Sequence, residues 1–219
     1  MNDRSHIRVV AIDGPAGAGK STLARSVAEH LGLERLDTGA MYRAVTWAAL
    51  NRRIEPGAAD AVTRLARALD IEVAARVLVD GEDATAGIRT PEVDAAVSVV
   101  AANPDVRVEM VRRQRAWLAE RGRGVMEGRD IGTVVLPDAD VKIYLTAAPE
   151  TRAQRRARER GQGDRVGDVE AALSRRDRLD STRAASPLPS PQDVAADAKV
   201  IDSTGKSARE VFEEVLAWL

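Results

Sequence analysis

The sequence predicts an α/β fold in three layers, with a five-stranded parallel sheet flanked by helices on both faces. Short apolar runs alternate with helical patterns along most of the chain, and this alternation is typical of parallel sheets covered by helices. Several of the runs end in polar residues, as expected where parallel strands meet a ligand at their carboxyl ends. The 219 residues are enough for a single domain with small insertions.

The first strand and the first helix enclose a glycine-rich loop, in the sequence VVAIDGPAGAGKST of residues 9–22. The loop matches G-x-x-x-x-G-K-S, with Gly14, Gly19, Lys20 and Ser21 at the fixed places. Backbone N–H groups of such a loop surround a di- or triphosphate, and the helix over residues 21–31 adds its dipole. We expect Lys20 to reach the outer phosphates and the Ser21 hydroxyl to face Mg²⁺.

These features predict a P-loop NTPase fold with a nucleoside triphosphate on the loop. The expected contacts are Gly14, Pro15, Ala16, Gly17, Ala18, Gly19, Lys20, Ser21 and Thr22. One alternative is a chance turn before a helix. Another is a dinucleotide site, because Asp37 lies at a suitable distance for a ribose contact, but no G-x-G-x-x-G can be drawn through this loop.

Four more strands are predicted: a short one that runs into a loop within residues 34–39, and others at 125–126, 141–146 and 200–201. A helix over about residues 40–52 follows the second of the five strands. Polar residues stand where four strands end, and we expect them at one edge of the sheet: Asp13, Asp37 with Thr38, Glu127 to Asp130, and Asp202 with Ser203. For Asp202 a simple turn is the favoured interpretation.

The middle of the chain predicts a small insertion over the core. A helix near residue 60 is followed by alternating pieces at 71–74 and 76–79, turned by Asp80-Gly81. A helical pattern over 91–119 is interrupted at Asn103-Pro104, because proline ends one helix and begins the next.

The segment from 152 to 165, RAQRRARERGQGDR, is rich in arginine. One interpretation is a solvated helix face with local ion pairs. The other is a lid over the phosphates, because guanidinium groups can neutralise charge on a transferring phosphoryl group. Arg152 and Arg156 are the arginines that we favour for this role.

Composition excludes several functions. The chain has 33 basic and 34 acidic residues, so no overall positive field favours nucleic-acid binding. The absence of cysteine excludes thiolate catalysis, and neither of the two histidines, His6 and His30, is placed to act as a general base. No apolar run has the length of a membrane span and no signal peptide is evident, so we expect a cytoplasmic protein. No feature suggests a protein partner, and we expect a monomer.

A phosphoryl acceptor that is already anionic requires no base, only two anions held together and neutralised. A P-loop with several arginines at the same sheet edge fits such an acceptor better than an alcohol.

Four further strings carry a family resemblance: LDTGAMYR at 36–43, GIRTPEV at 87–93, GRDIGTVV at 128–135 and RDRLDSTR at 176–183. With the P-loop, they make the chain resemble the bacterial-type cytidylate kinases from about residue 9 to its end. The resemblance implies ATP-dependent phosphorylation of CMP and dCMP. It also implies a nucleoside-monophosphate-binding insertion at about 40–110 and a lid at about 150–166.

The same resemblance implies roles for individual residues. Arg43 and Arg129 would hold the acceptor phosphate, as guanidinium forks do. The base pocket would consist of Ser98, Arg107, Asp130 and Arg183. Arg176 and Asp180, four residues apart on one helix face, would contact the ribose. Thr38 is expected beside the acceptor.

Four of these residues have a plainer interpretation as well. Arg176 and Asp180 could form a helix-surface ion pair, Ser98 could bond its own backbone, and Arg107 could be a solvated charge. Glu127 departs from the family's usual DGRD, which leaves its role open. The alternative functions are another small P-loop kinase acting on UMP, AMP or a small alcohol, and a catalytically idle nucleotide-binding module.

Overall fold

The computed structural model describes residues 8–159, 161 and 165–219. Its strands are β1 Val9–Asp13, β2 Arg35–Asp37, β3 Ile71–Val73, β4 Val77–Val79, β5 Glu82–Asp83, β6 Gly124–Glu127, β7 Val141–Thr146 and β8 Lys199–Asp202. Its α-helices are α1 Lys20–Leu31, α2 Thr38–Asn51, α3 Ala59–Ala68, α4 Pro91–Ala102, α5 Pro104–Arg121, α6 Pro149–Glu159, α7 Val166–Thr182 and α8 Ala208–Leu216.

The central sheet has five parallel strands in the order β2-β6-β1-β7-β8, which confirms the predicted fold class. Because every strand runs the same way, all carboxyl ends lie at one edge. The loops after β1, β2 and β6 are therefore neighbours in space, as the sequence predicts. They carry the P-loop, Thr38 and Arg129.

Successive residues of β1 point to opposite faces of the sheet, so each face has its own core. Val10 and Ile12 pack with the apolar side of α1 and with α8. Ala11 packs on the other face, in the larger cluster that contains α2, α3 and α5. Burial on both faces explains why the strands read as continuous apolar runs.

The segment between α2 and β6 contains α3, an antiparallel sheet of β3, β4 and β5, and helices α4 and α5. The prediction for the turn at Asp80-Gly81 needs a correction. That turn joins β4 to the two-residue β5, whereas β3 turns into β4 through residues 74–76. The sequence did not indicate β5 because Glu82 and Asp83 carry no apolar pattern.

The predicted interruption at Asn103-Pro104 is confirmed. The Asn103 side chain accepts hydrogen bonds from Asp105 N at 3.0 Å and Val106 N at 3.4 Å, which caps α5. Pro104 occupies the first turn of α5, where a missing N–H costs nothing. Thr90 and Pro91 begin α4 in the same way.

Helices α6 and α7 pack against each other through Ala153, Ala157, Val169 and Leu173. They contain most of the segment predicted to be a lid. Residues 160 and 162–164, in the glycine-rich end of that segment, lie outside the described residues. Within 8–159, 161 and 165–219, no helix combines the length and the apolar character required to cross a bilayer.

Candidate active site

A cavity of about 480 Å³ opens at the carboxyl edge of the sheet, between the P-loop, α2, α4 and α7. Most of the residues predicted for the site line this cavity. They are Ala16, Gly17, Gly19, Lys20, Ser21, Thr22, Thr38, Arg43, Ser98, Arg107, Arg129, Asp130, Arg156, Arg176, Asp180 and Arg183. The remaining predicted residues, Gly14, Pro15, Ala18 and Arg152, do not line it.

The neighbouring strand β7 leaves no room for a side chain at position 14. The φ of Gly14 is 142°, and a Cβ at this position would lie 2.0 Å from the backbone oxygen of Leu145 in β7. A side chain is therefore excluded before any ligand arrives. The loop can then turn sharply out of β1 and reach α1, whose first-turn N–H groups receive no side-chain cap in the described part of the chain. These groups are suited to an anion.

Lys20 and Ser21 open α1 at the floor of the cavity. Lys20 Nζ donates to the Pro15 carbonyl at 2.9 Å, which folds the side chain over the loop. Burial lowers the pKa of the Lys20 ammonium, with the positive charge of Arg129 adding to the effect. A phosphate bound here would stabilise the charged form of Lys20 and so raise its pKa again.

Glu127 is buried beside the P-loop serine. Ser21 Oγ donates to Glu127 Oε2 at 2.8 Å, and Arg35 Nη1 donates to Glu127 Oε1 at 3.1 Å. Burial raises the pKa of this carboxyl, and the nearby Asp37 raises it further. The carboxylate thus lies at the P-loop end of the cavity, beside the first turn of α1. The main-chain oxygen of Glu127 accepts a hydrogen bond from Thr38 Oγ1 at 2.7 Å, which connects α2 to the end of β6.

Asp13 supports the segment that carries Arg129 and Asp130. Its carboxylate accepts from the backbone N–H of Ile131 and of Gly132, both at 2.8 Å. These contacts hold the π-helical turn at Ile131–Val135 against β1. Burial raises the pKa of Asp13 to about 6.

A buried ion pair lies in the wall of the cavity. Arg107 Nη2 of α5 donates to Asp130 Oδ2, and the two residues are 3% and 5% exposed. The Arg107 guanidinium also lies over the Tyr42 ring, 5.5 Å from its centre. Arg107 is therefore not the solvated charge that its sequence position allowed.

Three buried nitrogen atoms of residues that line the cavity have no hydrogen-bond partner among the described residues: Arg107 Nε, Arg176 Nε and Arg183 Nη2. Arg183 donates from Nε to the Ser186 carbonyl at 2.6 Å. Buried N–H groups are rarely left unpaired. Their presence at the cavity wall indicates acceptor atoms of a ligand.

Asp180 of α7 links α4 and the loop after β6 in the cavity wall. Ser98 Oγ donates to Asp180 Oδ1 at 3.3 Å, and Arg129 Nε donates to Asp180 Oδ2 at 3.2 Å. Arg176 Nε lies 3.9 Å from the same carboxylate. Ser98 and the Arg176–Asp180 pair thus face the cavity instead of forming only local contacts.

The arginines of α6 separate into different roles. Arg156 lines the cavity, whereas Arg152 is buried beside the P-loop, where it donates to Ala16 O at 3.1 Å and Ala147 O at 3.2 Å. Arg155 donates to Ala18 O at 3.2 Å and Ser203 O at 2.7 Å. Arg152 and Arg155 therefore stabilise the P-loop through hydrogen bonds to its carbonyl groups.

Sequence reasoning missed three contributors: Tyr42, Arg155 and Asp94. Asp94 contacts Arg43 and Arg156 at the wall of the cavity. In the sequence it is an ordinary acidic residue in the first turn of a helix, where the helix dipole alone would explain it. Tyr42 lies inside the string LDTGAMYR, which could have indicated it.

The parallel sheet and the phosphate loop at its carboxyl edge define a P-loop NTPase fold. A gluconokinase from Sinorhizobium meliloti 1021 has the same fold, with a TM-score of 0.55 and 14% identity over 96% of this chain and 90% of that chain.

A sequence model described as cytidylate kinase matches residues 10–219. A cytidylate kinase of Mycobacterium leprae (strain Br4923) is 49% identical over 215 residues, 95% of this chain and 93% of the relative. A bifunctional pantoate ligase/cytidylate kinase of Synechococcus sp. (strain WH7803) is also 49% identical, over 94% of this chain, which spans only 43% of that relative. The chain belongs to the cytidylate kinase family.

Proposed function

We propose that this protein transfers the γ-phosphoryl group of ATP to CMP and dCMP, giving ADP and CDP or dCDP. The observation that carries the proposal is the buried pair of Arg107 and Asp130 in a cavity continuous with the P-loop. A buried, charged pair beside unpaired N–H groups is costly unless a polar ligand completes it. Membership in the cytidylate kinase family supports the choice of ligand.

Cytosine fits the hydrogen-bonding groups of this pocket. Its exocyclic amine can donate to Asp130, while its ring nitrogen and carbonyl can accept from Arg107 and Arg183. Uracil would place a carbonyl oxygen against the Asp130 carboxylate, and a polar site rejects such a mismatch strongly. Ser98 would complete the base pocket, and Arg176 and Asp180 would contact the ribose.

The acceptor phosphate would be held by Arg43 and Arg129, which approach the cavity from α2 and from the loop after β6. Both side chains present guanidinium forks suited to phosphate oxygens. Because that phosphate is already an anion, the attack needs no general base. Alignment and neutralisation of the two phosphates would supply most of the rate.

The donor triphosphate would lie on the P-loop, with Lys20 on the outer phosphates. Ser21 Oγ and the Glu127 carboxylate are hard oxygen donors 2.8 Å apart, and such donors fit Mg²⁺, which usually also keeps waters and phosphate oxygens as ligands. When bound there, Mg²⁺ would neutralise charge between the phosphates. Ser21 would be the direct ligand, and Glu127 would orient metal-bound water.

A second cavity of about 370 Å³ adjoins the P-loop between α6 and the start of α8. Gly17, Thr22 and Arg158 line it, together with Lys206 and Ala208. It is the proposed place for the donor base.

We further propose that residues 1–219 form one domain, with a monophosphate-binding insertion at about 40–110 and a lid at about 150–166. We propose that it acts as a monomer and binds neither nucleic acid nor a membrane.

The test is ADP release from ATP and Mg²⁺ with CMP, dCMP, UMP, AMP, dTMP and no acceptor in parallel. Release confined largely to CMP and dCMP is the expected result. A larger signal with another monophosphate would keep the kinase but overturn the assignment of Ser98, Arg107, Asp130 and Arg183. No acceptor-dependent release at all would favour an idle nucleotide-binding module.

A further inference from the structure

The Asp94 carboxylate of α4 lies among arginines from three other helices. Arg43 Nη2 of α2 donates to Asp94 Oδ1, and Arg156 Nη2 of α6 lies 3.3 and 3.2 Å from the two carboxylate oxygens. Arg176 Nη1 of α7 lies 3.8 Å away. The Asp94 side chain is only 13% exposed, so these contacts are partly shielded from water.

This carboxylate occupies donors that a phosphate would need. The second amino group of Arg43, Nη1, already donates to the Ile88 carbonyl at 2.9 Å, and its Nη2 is turned to Asp94. A carboxylate and a phosphate are gripped by the same guanidinium geometry. Asp94 therefore acts on Arg43 as an internal anion at the place proposed for the acceptor phosphate.

The cluster is crowded with positive charge. Burial lowers the pKa of Arg43 to about 10, and Arg156 and Arg129 add to this shift. Burial likewise lowers the pKa of Arg176 to about 9, with Arg129 and Arg43 contributing. Without a bound anion, a nearby carboxylate reduces the mutual repulsion of these cations.

Arg156 connects this cluster to the phosphoryl group that is transferred. It reaches the cavity from α6, and α6 also contacts the P-loop through Arg152 and Arg155. While Arg156 contacts both oxygens of Asp94, less of its charge is available to a γ-phosphate. An acceptor dianion on Arg43 would compete with Asp94 and release Arg156.

We propose that Asp94 makes phosphoryl transfer depend on the acceptor: it retains Arg43 and Arg156 until the acceptor phosphate replaces it, and so suppresses transfer to water. The inference rests on the proposed function. The suppressed reaction is hydrolysis, in which a water oxygen bonds to the γ-phosphorus as the bond to the β,γ-bridging oxygen breaks. The products are ADP, inorganic phosphate and a proton released to solvent.

The test variant is Asp94→Asn, which keeps the shape of the side chain and removes its charge. We expect phosphate release from ATP and Mg²⁺ without acceptor to rise at least about fivefold, the lower end of typical coupling between two ligands. The KM for CMP should fall by a similar factor, because no internal anion has to be displaced. A contact that is only structural would leave the rate of hydrolysis unchanged.

Glu92→Gln is the matched control, because Glu92 is an exposed acid in the first turn of the same helix. It removes the same charge outside the arginine cluster and should leave hydrolysis at the wild-type rate. An equal rise in this control would assign the effect to net charge and overturn the proposal. The proposal is also overturned if hydrolysis by Asp94→Asn stays at the wild-type rate, whatever the KM does.

Asp94→Ser serves as a second variant if the asparagine protein does not fold. Failure of both to fold would show that the carboxylate is needed for the structure itself, which contradicts a role exerted through the availability of the arginines. CMP-dependent ADP release by the wild-type protein is measured in the same series. Its absence would reject the proposed function separately from the role of Asp94.

Discussion

At the scale of single residues, the buried cations and carboxylates of the cavity have different tasks. Lys20 lies under the P-loop and faces the proposed triphosphate, whereas Asp130 pairs with Arg107 in the wall of the same cavity. Lys20 should therefore control the rate with every acceptor. Asp130 should control which base is accepted.

Replacing Lys20 with alanine should lower kcat for CMP phosphorylation at least about 100-fold, because a charge aimed at the transferring phosphoryl group is lost. Steady-state ADP release measures this effect. Lys142→Ala is a suitable control, since Lys142 is also buried but pairs with Asp197 at 2.6 Å outside the cavity. Near-normal turnover by the Lys20 variant would contradict the assignment.

Replacing Asp130 with asparagine should reduce the preference for CMP over UMP by about tenfold or more, the range of one hydrogen bond to a charged group. The amide can donate to the uracil carbonyl that the carboxylate repels. The ratio of kcat/KM for the two acceptors measures the change, with circular dichroism to confirm that the variant is folded. An unchanged ratio would place base recognition elsewhere.

The meeting of distant residues in one cavity was largely predictable where a string of residues is diagnostic. Lys20, Ser21, Arg43 and Arg129 all belong to such strings and line one cavity. Arg152 and Arg156 could not be distinguished from the sequence, because both lie on an arginine-rich helix and only three-dimensional packing turns Arg156 toward the cavity. Asp94 could not be identified at all, since its partners are distant along the chain.

At the scale of elements, helix α5 is fixed to α3 by hydrogen bonds from an arginine side chain as well as by apolar packing. Arg113 donates to the Leu69 carbonyl at 2.7 Å and to the Ala66 carbonyl at 3.0 Å, near the end of α3. Glu109 accepts from Arg113 at 2.6 Å and from Arg112 at 2.7 Å. Glu109 thus orients the arginine that binds the end of α3.

These contacts predict a pH-dependent stability. The hydrogen bonds from Arg112 and Arg113 lower the pKa of Glu109 from 4.5 to about 2. Because the folded pKa lies below the unfolded one, Glu109 should contribute stability above about pH 4.5 that is lost as the pH falls toward 2. The contribution should be on the order of 1 kcal/mol, the scale of partly exposed ion pairs.

Urea unfolding of wild-type protein and Glu109→Gln at several pH values measures this contribution. The two free energies of unfolding should differ most near neutral pH and converge as the pH decreases. Glu72→Gln, an exposed glutamate in β3, is the control and should show no such convergence. A difference that stays constant with pH would rule out the ion pair as its source.

Element boundaries were predictable where local chemistry sets them. Asn103-Pro104 separates α4 from α5 as expected, because the cap and the proline act within a few residues. Strand β5 was not predictable, because its two acidic residues form a strand only through their pairing with β4. Pairing with a neighbour has no signature in so short a segment.

At the scale of the whole molecule, the parallel sheet brings distant segments to one edge. The P-loop after β1, Thr38 after β2 and Arg129 after β6 become neighbours because β1, β2 and β6 are adjacent in the sheet. Helices α4 and α7 complete the cavity wall with Ser98 and Asp180. The fold class was predictable from alternation alone, whereas the way these helices meet depends on packing.

The most direct test of the proposed activity follows the phosphoryl group itself. The protein is incubated with ATP labelled at the γ-phosphorus, Mg²⁺ and an equimolar mixture of CMP, UMP and AMP, and the products are separated by chromatography. The label should appear almost entirely in CDP. Label mainly in UDP or ADP, or only in inorganic phosphate, would contradict a cavity built to bind cytosine and to place its phosphate in line with ATP.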